Sequence, residues 1–169
     1  MVNYLVYTDG SYHVEGETHG GIVFWDENAG TYLSRTHVYT KLNKLTSMWN
    51  VGGEIIAAYC AIMMTVNKVK ELNNETMDNY KLRLVYDYEG IGKWLTEMWK
   101  AKKPATQWFV KEVHKLLKEV PNLQLELIWV KGHGACAGNN EADRVSEYTM
   151  NYAKNNNIMI CLIDEFIEL

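Results

Sequence analysis

Three stretches near the start of the chain have the hydrophobic and polar patterning of β-strands. In residues 2–11, β-branched and aromatic side chains occupy both alternating sets of positions, as in a strand covered on both faces. Similar stretches follow at residues 20–26 and 31–39. Because the connections are short, the three strands are predicted to form an antiparallel meander. The polar segment between the first two is predicted to be a hairpin loop with His13 and His19 at the surface.

The rest of the chain switches between helical and strand patterns. Hydrophobic residues recur every three or four positions over residues 53–72, which predicts a long helix. Further strands are predicted at residues 80–86 and 123–130, and further helices at about 88–101, 106–119 and 139–156. Helical connections allow the first, fourth and fifth strands to be parallel. The predicted fold is therefore α/β, a five-stranded mixed sheet with three antiparallel strands plus two parallel ones, flanked by helices.

Composition narrows the class of protein. The 169 residues, 47% hydrophobic and 22% charged, suffice for one domain with its own core and exclude a disordered chain. No apolar run approaches the length of a bilayer span, and no signal peptide is recognised before the first strand. Three widely spaced cysteines without a C-x-x-C pair favour free thiols in a reducing compartment. We therefore expect a cytoplasmic protein that does not enter a membrane, and a monomer.

Charge is unevenly distributed along the chain. The net charge of −4 argues mildly against a nucleic-acid partner, whose phosphates attract Lys and Arg. Residues 93–118, however, contain seven lysines and only two acids, Glu97 and Glu112. This basic segment indicates either phosphate contact or an ordinary solvated helix face.

Acidic residues occur at the ends of several predicted elements. Asp9 and Asp87 end strands, His133 follows the fifth strand, and Glu54 and Asp143 lie in the first turns of helices. Each has a simpler interpretation: a turn for Asp9, a helix cap for Asp87, a favourable helix-terminus charge for Glu54 and Asp143, and a loop position for His133. The carboxyl ends of parallel strands, however, share one edge of a sheet, where ligands bind. Four acids at that edge therefore favour a functional cluster.

Such a cluster requires cations. Two unit charges about 5 Å apart repel by roughly 3 kcal/mol at an effective dielectric constant near 20. Carboxylate oxygens select hard ions, so the sequence indicates Mg²⁺ or Mn²⁺, and two ions would balance four negative charges.

The segments that hold these residues resemble type 1 ribonuclease H. The similarity runs from Thr8 to about Asp143 and rests on TDGS at 8–11, NVGGEIIAA at 50–58, YD at 86–87, WVKGHG at 129–134 and GNNEAD at 138–143. Residues 88–94 and 99–104 are similar to the bacterial and phage branch that is often fused to a viroplasmin-type module. No such module is expected before Met1.

The resemblance implies a ribonuclease H-like fold and a two-metal active site. Asp9 would bridge two Mg²⁺ ions, which Mn²⁺ could replace, with Asp143 helping to hold one and Glu54 and Asp87 the other. His133 would assist proton transfer or product release. The implied substrate is an RNA–DNA hybrid, recognised through the 2′-hydroxyls of its RNA strand. The candidate contacts are Gly10, Ser11, Asn50, Gly52 and Gly53 for the RNA strand and Lys93, Lys100, Lys102 and Lys103 for the DNA strand.

The leading hypothesis is a metal-dependent endonuclease that hydrolyses the RNA strand of RNA–DNA hybrids and leaves 3′-hydroxyl and 5′-phosphate ends. The alternatives are a hybrid-binding module with weak or lost catalysis and a related DNA nuclease with a ribonuclease H-like fold.

Two positions and the C-terminal residues depart from the family's pattern. Tyr88 stands where Ser or Thr is common, and Asn140 stands where many members have a Glu, whose contribution is then lost or moved to Glu141. We assign residues 1–157 to the ribonuclease H domain and 158–169 to a C-terminal extension. The extension is predicted to be an added edge strand, a helix folded onto the core or a docking surface, with a slight preference for the strand.

Overall fold

One mixed sheet of six strands organises the part of the chain that the structure describes. The computed structural model describes residues 1–13 and 16–165. The strands are β1 (Val2–His13), β2 (Glu17–Asp26), β3 (Thr31–Thr40), β4 (Tyr80–Tyr86), β5 (Leu123–Trp129) and β6 (Met159–Leu162), in the spatial order β5-β4-β1-β2-β3-β6. The predicted meander of β1, β2 and β3 is confirmed, and β4 and β5 extend the sheet in parallel with β1.

The sixth strand corrects the prediction of five. β6 comes from the C-terminal extension and pairs in parallel with β3, where Thr36 lies opposite Met159 and Tyr39 opposite Leu162. The preferred prediction of an added edge strand is therefore confirmed for this part of the extension. Residues 166–169 of the extension lie outside the described residues. β6 has only four residues and lies far along the chain from β3, so local sequence patterns did not indicate that the two strands pair.

Helices cover both faces of the sheet. They are α1 (Asn43–Thr46), α2 (Asn50–Leu72), α3 (Gly90–Leu95), α4 (Pro104–Lys118), α5 (Ala137–Glu147) and α6 (Met150–Asn155), with a short 3₁₀ turn at Ile163–Glu165. Successive strand residues point to opposite faces, so Ile22 joins the core beneath α2 and α4, while Val23 joins the smaller core beneath α5. Within residues 1–13 and 16–165, we find no helix with the length and apolar character needed to cross a bilayer.

Two predicted helices are shorter than their hydrophobic patterns indicated. α3 ends at Leu95 because the chain turns at Glu97, whose backbone is left-handed with φ 61°. The helix predicted over residues 139–156 is divided into α5 and α6 at Tyr148, which is extended, and Thr149, whose side chain accepts a hydrogen bond from the Tyr152 backbone N–H. The lysines after α3 consequently lie on an irregular segment.

The first hairpin is tighter than predicted. β1 continues to His13 and β2 begins at Glu17, so Asp9 lies within a strand and not at its end. The prediction that His13 and His19 lie on a surface loop is wrong. His19 is only 2% exposed, and the ring of His13 stacks on it with 3.6 Å between ring centroids.

Candidate active site

Three carboxylates converge at the edge where β4 ends beside β1. Asp9 lies on β1, Glu54 on α2 and Asp87 directly after β4, and one oxygen of each lies within 4.8 Å of the others. Asp9 and Glu54 are buried, whereas Asp87 is half-buried. The predicted convergence of these three acids is confirmed, although they come from positions far apart in the sequence.

Two glycines bring Glu54 against β1. A Cβ on Gly10 would lie 2.2 Å from the backbone nitrogen of Glu54, and a Cβ on Gly53 would lie 2.1 Å from the carbonyl oxygen of His19. Any larger residue would force α2 away from the sheet. Because α2 begins at Asn50, Glu54 lies in its second turn and not the first. Its position therefore reflects contact with β1 more than the charge preference of a helix terminus.

Asp87 is held by the last residue of β5 and the first turn of α5. The indole Nε1–H of Trp129 donates to the backbone carbonyl of Asp87 at 2.9 Å, and the Nδ2 of Asn139 makes a long 3.5 Å contact with its Oδ2. Asp87 does not cap α3. The N-cap residue of α3 is Glu89, whose side chain makes no capping hydrogen bond. Asn139 is buried, and its Oδ1 has no hydrogen-bond partner among the described residues.

Asn139 is a site residue that the sequence reasoning missed. It lies in the GNNEAD segment, but an amide at a helix start suggests a cap, and only the fold shows that it contacts Asp87.

Asp143 and His133 complete the site from the other side of β1. The carboxyl group of Asp143, in the second turn of α5, lies within hydrogen-bonding reach of Asp9. The Nδ1 of His133 is 3.9 Å from an oxygen of Asp143, and the His133 side chain is 89% exposed. Its backbone is left-handed, with φ 55°. The structure thus places Asp143 beside Asp9 and His133 beside Asp143 at the solvent side, whereas the group of converging carboxylate oxygens consists of Asp9, Glu54 and Asp87.

Burial and mutual repulsion hold protons on this cluster. Burial raises the pKa of Asp9 to about 7, and the neighbouring Asp87 and Asp143 contribute to the rise. Burial also raises the pKa of Glu54 well above its usual range, with further contributions from Asp9 and Asp87. Asp9 and Glu54 therefore retain protons around neutral pH unless cations replace them.

The donor set fits divalent cations with a preference for oxygen. All the converging ligand atoms are carboxylate oxygens, which suit Mg²⁺ and Mn²⁺ better than metals that prefer nitrogen or sulfur. Glu54 Oε2 is also buried without a hydrogen-bond partner in the described part of the chain, which is costly unless a cation or proton occupies that direction.

The predicted contacts to the RNA strand occupy two environments. Asn50 is exposed and Gly10 is partly exposed, so both are accessible beside the acids. The Ser11 hydroxyl donates to the carbonyl of Ser146 at 2.6 Å. Gly52 and Gly53 are buried, and a Cβ on Gly52 would lie 2.2 Å from the carbonyl oxygen of Leu45. Packing therefore explains these two glycines without substrate contact.

Three of the four predicted DNA-strand lysines line one cavity. Lys100, Lys102 and Lys103 border an open cavity of about 500 Å³ whose remaining wall includes Trp49 and Trp94. Lys93 does not line this cavity, because its Nζ pairs with Glu89 at 2.9 Å and lies 4.9 Å from the ring centroid of Trp99.

The departures from the family's pattern have structural explanations. Tyr88 packs against Trp94, with ring centroids 5.8 Å apart, and lines the same cavity. The side chain of Asn140 donates to the carbonyl of Gly134 at 3.1 Å and so supports the His133 loop. Glu141 does not replace the missing acid, since one oxygen accepts from Arg35 and the other from Arg144.

Comparison with known proteins places this geometry in a family. A family model described as RNase H matches residues 2–151. No curated protein matched the chain significantly.

Solved structures share the fold at low sequence identity. The N-terminal RNase H domain of a Mycobacterium tuberculosis protein, solved as a fusion with maltose-binding protein, is 17% identical, with a TM-score of 0.63, 93% of this chain covered and 99% of that one. LC11-RNase H1, isolated from compost by a metagenomic approach, is 21% identical, with a TM-score of 0.64 and coverage of 91% and 99%. The same protein in complex with an RNA/DNA hybrid gives 21% identity, a TM-score of 0.61 and coverage of 89% and 99%.

These likenesses confirm the ribonuclease H-like fold, while the resemblance to the branch fused to a viroplasmin-type module stays a prediction. The family match covers most of the chain and includes Asp9, Glu54, Asp87 and Asp143. The chain therefore belongs to the RNase H family and is a ribonuclease H.

Proposed function

We propose that this ribonuclease H hydrolyses the RNA strand of RNA–DNA hybrids with two divalent cations, Mg²⁺ by preference and Mn²⁺ as a substitute. The observation that carries the proposal is the convergence of Asp9, Glu54 and Asp87 within 4.8 Å, with Asp143 adjoining Asp9. One of the similar structures was solved with an RNA/DNA hybrid, which supports the same substrate class here.

The arrangement suggests a division of work among the acids. Asp9 lies between the Glu54–Asp87 pair and Asp143, so it is the residue that could hold both ions. Two bound ions would supply positive charge to the attacking and leaving oxygens of the phosphodiester. Water would form the new bond to phosphorus as the bond to the 3′ oxygen breaks, which leaves 3′-hydroxyl and 5′-phosphate ends. His133, exposed beside Asp143, would transfer the proton that the 3′ oxygen takes up.

Substrate would lie across the sheet edge and the lysine cavity. Gly10, Ser11 and Asn50 adjoin the acids and would face the RNA strand, where 2′-hydroxyls distinguish RNA from DNA. Lys100, Lys102 and Lys103 would neutralise phosphates of the DNA strand. We further propose a monomer in the cytoplasm, and gel filtration and cell fractionation would test these two points.

Cleavage assays on three labelled duplexes test the proposal. The purified protein should cut the RNA of a hybrid in Mg²⁺ or Mn²⁺, leave double-stranded RNA and duplex DNA intact, and be inactive in chelator. Glu54→Gln should lower the rate on the order of 10²–10³-fold, since ligand loss removes several kcal/mol of charge stabilisation. Glu71→Gln, on the exposed end of the same helix, is the matched control and should be unaffected.

Two outcomes would replace the proposal with one of its alternatives. Hybrid binding without cleavage in either metal would indicate a binding module. Cleavage of duplex DNA at a rate equal to that of the hybrid would indicate a DNA nuclease with this fold.

A further inference from the structure

A buried pair of histidines connects the sheet to the helix that carries Asp143. His19 on β2 and His37 on β3 are 2% and 0% exposed. The Nδ1 of His19 lies 2.6 Å from the Nε2 of His37, and the Nδ1 of His37 lies 2.7 Å from the carbonyl oxygen of Val145, in the last turn of α5. The sequence places these three residues far apart and gives no sign that they meet.

The Val145 carbonyl determines which atom donates in each of these two hydrogen bonds. A carbonyl oxygen only accepts, so the Nδ1 of His37 must carry the hydrogen that it donates to Val145. In a neutral ring the Nε2 of His37 is then an acceptor, and the Nδ1 of His19 must donate to it. His19 therefore holds the ring of His37 in the orientation that reaches α5.

The bonded carbonyl belongs to the last turn of α5, where its other donor is the Tyr148 backbone N–H at a long 3.4 Å. The last four carbonyls of a helix have no partner within it. Here the sheet supplies donors from two strands, His37 to Val145 at 2.7 Å and the Ser11 hydroxyl to Ser146 at 2.6 Å. The Ser146 hydroxyl in turn donates to the carbonyl of Asp143 at 2.8 Å. Side chains of the sheet thus hold the last turn of α5, which is hydrogen-bonded to Asp143 through Ser146.

The backbone beneath α5 leaves little freedom to compensate. A Cβ on Gly21 of β2 would lie 2.2 Å from the carbonyl oxygen of Ala142, so helix and strand already touch backbone to backbone. Without the donor from His37, the Val145 carbonyl would keep only the long hydrogen bond from the Tyr148 N–H, or the end of α5 would tilt to find another donor. Displacement of a catalytic group by about 1 Å costs on the order of 10²-fold in rate.

We propose that His37, aligned by His19, is a positioning residue for Asp143. The proposal rests on the proposed function, in which Asp143 holds a divalent cation. The role is that of a fixed anchor, because burial lowers the pKa of His37, so its ring is neutral at neutral pH and keeps the single hydrogen that it donates to Val145. At the outer end, the His19 Nε2 lies 3.0 Å from Glu17, a contact that needs a proton on one of the two groups, and that proton leaves the two inner hydrogen bonds in place.

Two variants of His37 separate the hydrogen bond from the shape of the ring. His37→Phe fills the space without a donor, whereas His37→Asn keeps an N–H near the position of Nδ1. Calorimetric titration of the full chain with Mn²⁺ should show affinity about tenfold weaker for His37→Phe, the effect expected when the support of a metal ligand is removed. His37→Asn should recover affinity to within about threefold of the wild type. Hybrid cleavage should show the same shift in metal requirement with an unchanged KM for the hybrid.

A control and a double variant show whether the effect passes through Asp143. Thr65→Val removes a buried hydrogen bond inside α2, from the Thr65 hydroxyl to Ala61 at 2.9 Å, and should lower the melting temperature without changing Mn²⁺ affinity. In an Asp143→Asn background, His37→Phe should cause no further loss of affinity, because the ligand that it positions is already gone.

The proposal is overturned if His37→Phe binds Mn²⁺ as the wild type does, or if it causes the same loss with and without Asp143. If His37→Phe does not fold, His19→Phe removes the aligning bond and the outer contact with Glu17 but keeps the bond from His37 to Val145; it should weaken binding about threefold, and unchanged affinity there would also overturn the proposal. A wild-type protein that binds no Mn²⁺ would instead contradict the proposed function.

Discussion

Replacement of Asp9 with Asn should stabilise the metal-free protein at neutral pH while abolishing cleavage. Asp9 lies at the centre of the acidic cluster and is 5% exposed, so its charge is neither hydrated nor paired with a cation. Burial, with the charges of Asp87 and Asp143, raises its pKa to about 7. Asparagine removes that charge and can still accept the hydrogen bond that Asp9 Oδ1 receives from the Gly10 N–H at 2.9 Å.

The size of the effect follows from the two proton affinities of Asp9. The change from the ordinary value of 3.8 to about 7 in the folded protein corresponds to about 4 kcal/mol, at 1.36 kcal/mol for each tenfold change in affinity. Because the folded state binds this proton more tightly than the unfolded state, the wild type has the full stabilisation below about pH 4 and loses it as the pH rises through 7. Allowing for the lost contact with Glu54, we expect a gain of about 2–3 kcal/mol for Asp9→Asn at pH 8, or about 5–10 °C in Tm.

Urea and thermal unfolding in chelator, at pH 4.5 and pH 8, would measure this gain. Asp9→Asn should match the wild type at the lower pH and exceed it at the higher one. Asp78→Asn is the control, since Asp78 is exposed and its side chain accepts a hydrogen bond from the Thr76 hydroxyl. A loss of stability at pH 8, or a gain of equal size at both pH values, would refute the electrostatic reasoning and make Asp9 a structural residue.

Three further predictions concern the metal, the fold and the substrate. Mn²⁺ affinity should rise with pH between about 6 and 8, because Asp9, with a pKa of about 7, and Glu54, with a raised pKa, must lose protons to bind the ion; a flat profile by calorimetry would contradict this. Gly53→Ala should destabilise the fold by about 3 kcal/mol or more in urea unfolding, since its Cβ would lie 2.1 Å from the His19 carbonyl oxygen, and wild-type stability would mean that α2 can move. The third prediction concerns a variant with Ala in place of the cavity lysines Lys100, Lys102 and Lys103. This variant should raise the KM for the hybrid and reduce the salt dependence of KM, with little change in kcat. An unchanged KM would exclude the cavity from substrate binding.

The fold was predictable from sequence where local pattern decides it. The meander and the crossovers to β4 and β5 follow from hydrophobic periodicity and short connections. The sequence-based predictions were wrong where the structure depends on a contact with a residue far away in the sequence. β6 forms because β3 offers a free edge, and His19 is buried because His37 accepts its hydrogen bond. Neither partner is visible in a local window of sequence.

The candidate site was likewise predictable in part. The rule that parallel strands present their carboxyl ends at one edge brought Asp9 and Asp87 together, and Glu54 followed from the glycines at the start of α2. Asn139 was missed because its contact with Asp87 depends on how α5 packs. Glu141 was considered as a replacement ligand, but its two arginine partners include Arg35 on β3, which only the fold brings near.

The short strand β6 determines how a shortened chain would behave. Ile158 and Ile163 flank it and are 4% and 1% exposed, so the strand is fixed at both ends by apolar burial. A chain that stopped at residue 157 would leave the outer backbone groups of β3 open at Thr36–Tyr39, together with the spaces that the two isoleucines fill. The edge of the sheet would then be the ten-residue β3 in place of the four-residue β6, and a longer open edge favours pairing with a second molecule. Residues 158–163 thereby limit self-association, and their removal should produce oligomers before it affects the chemistry of the acids.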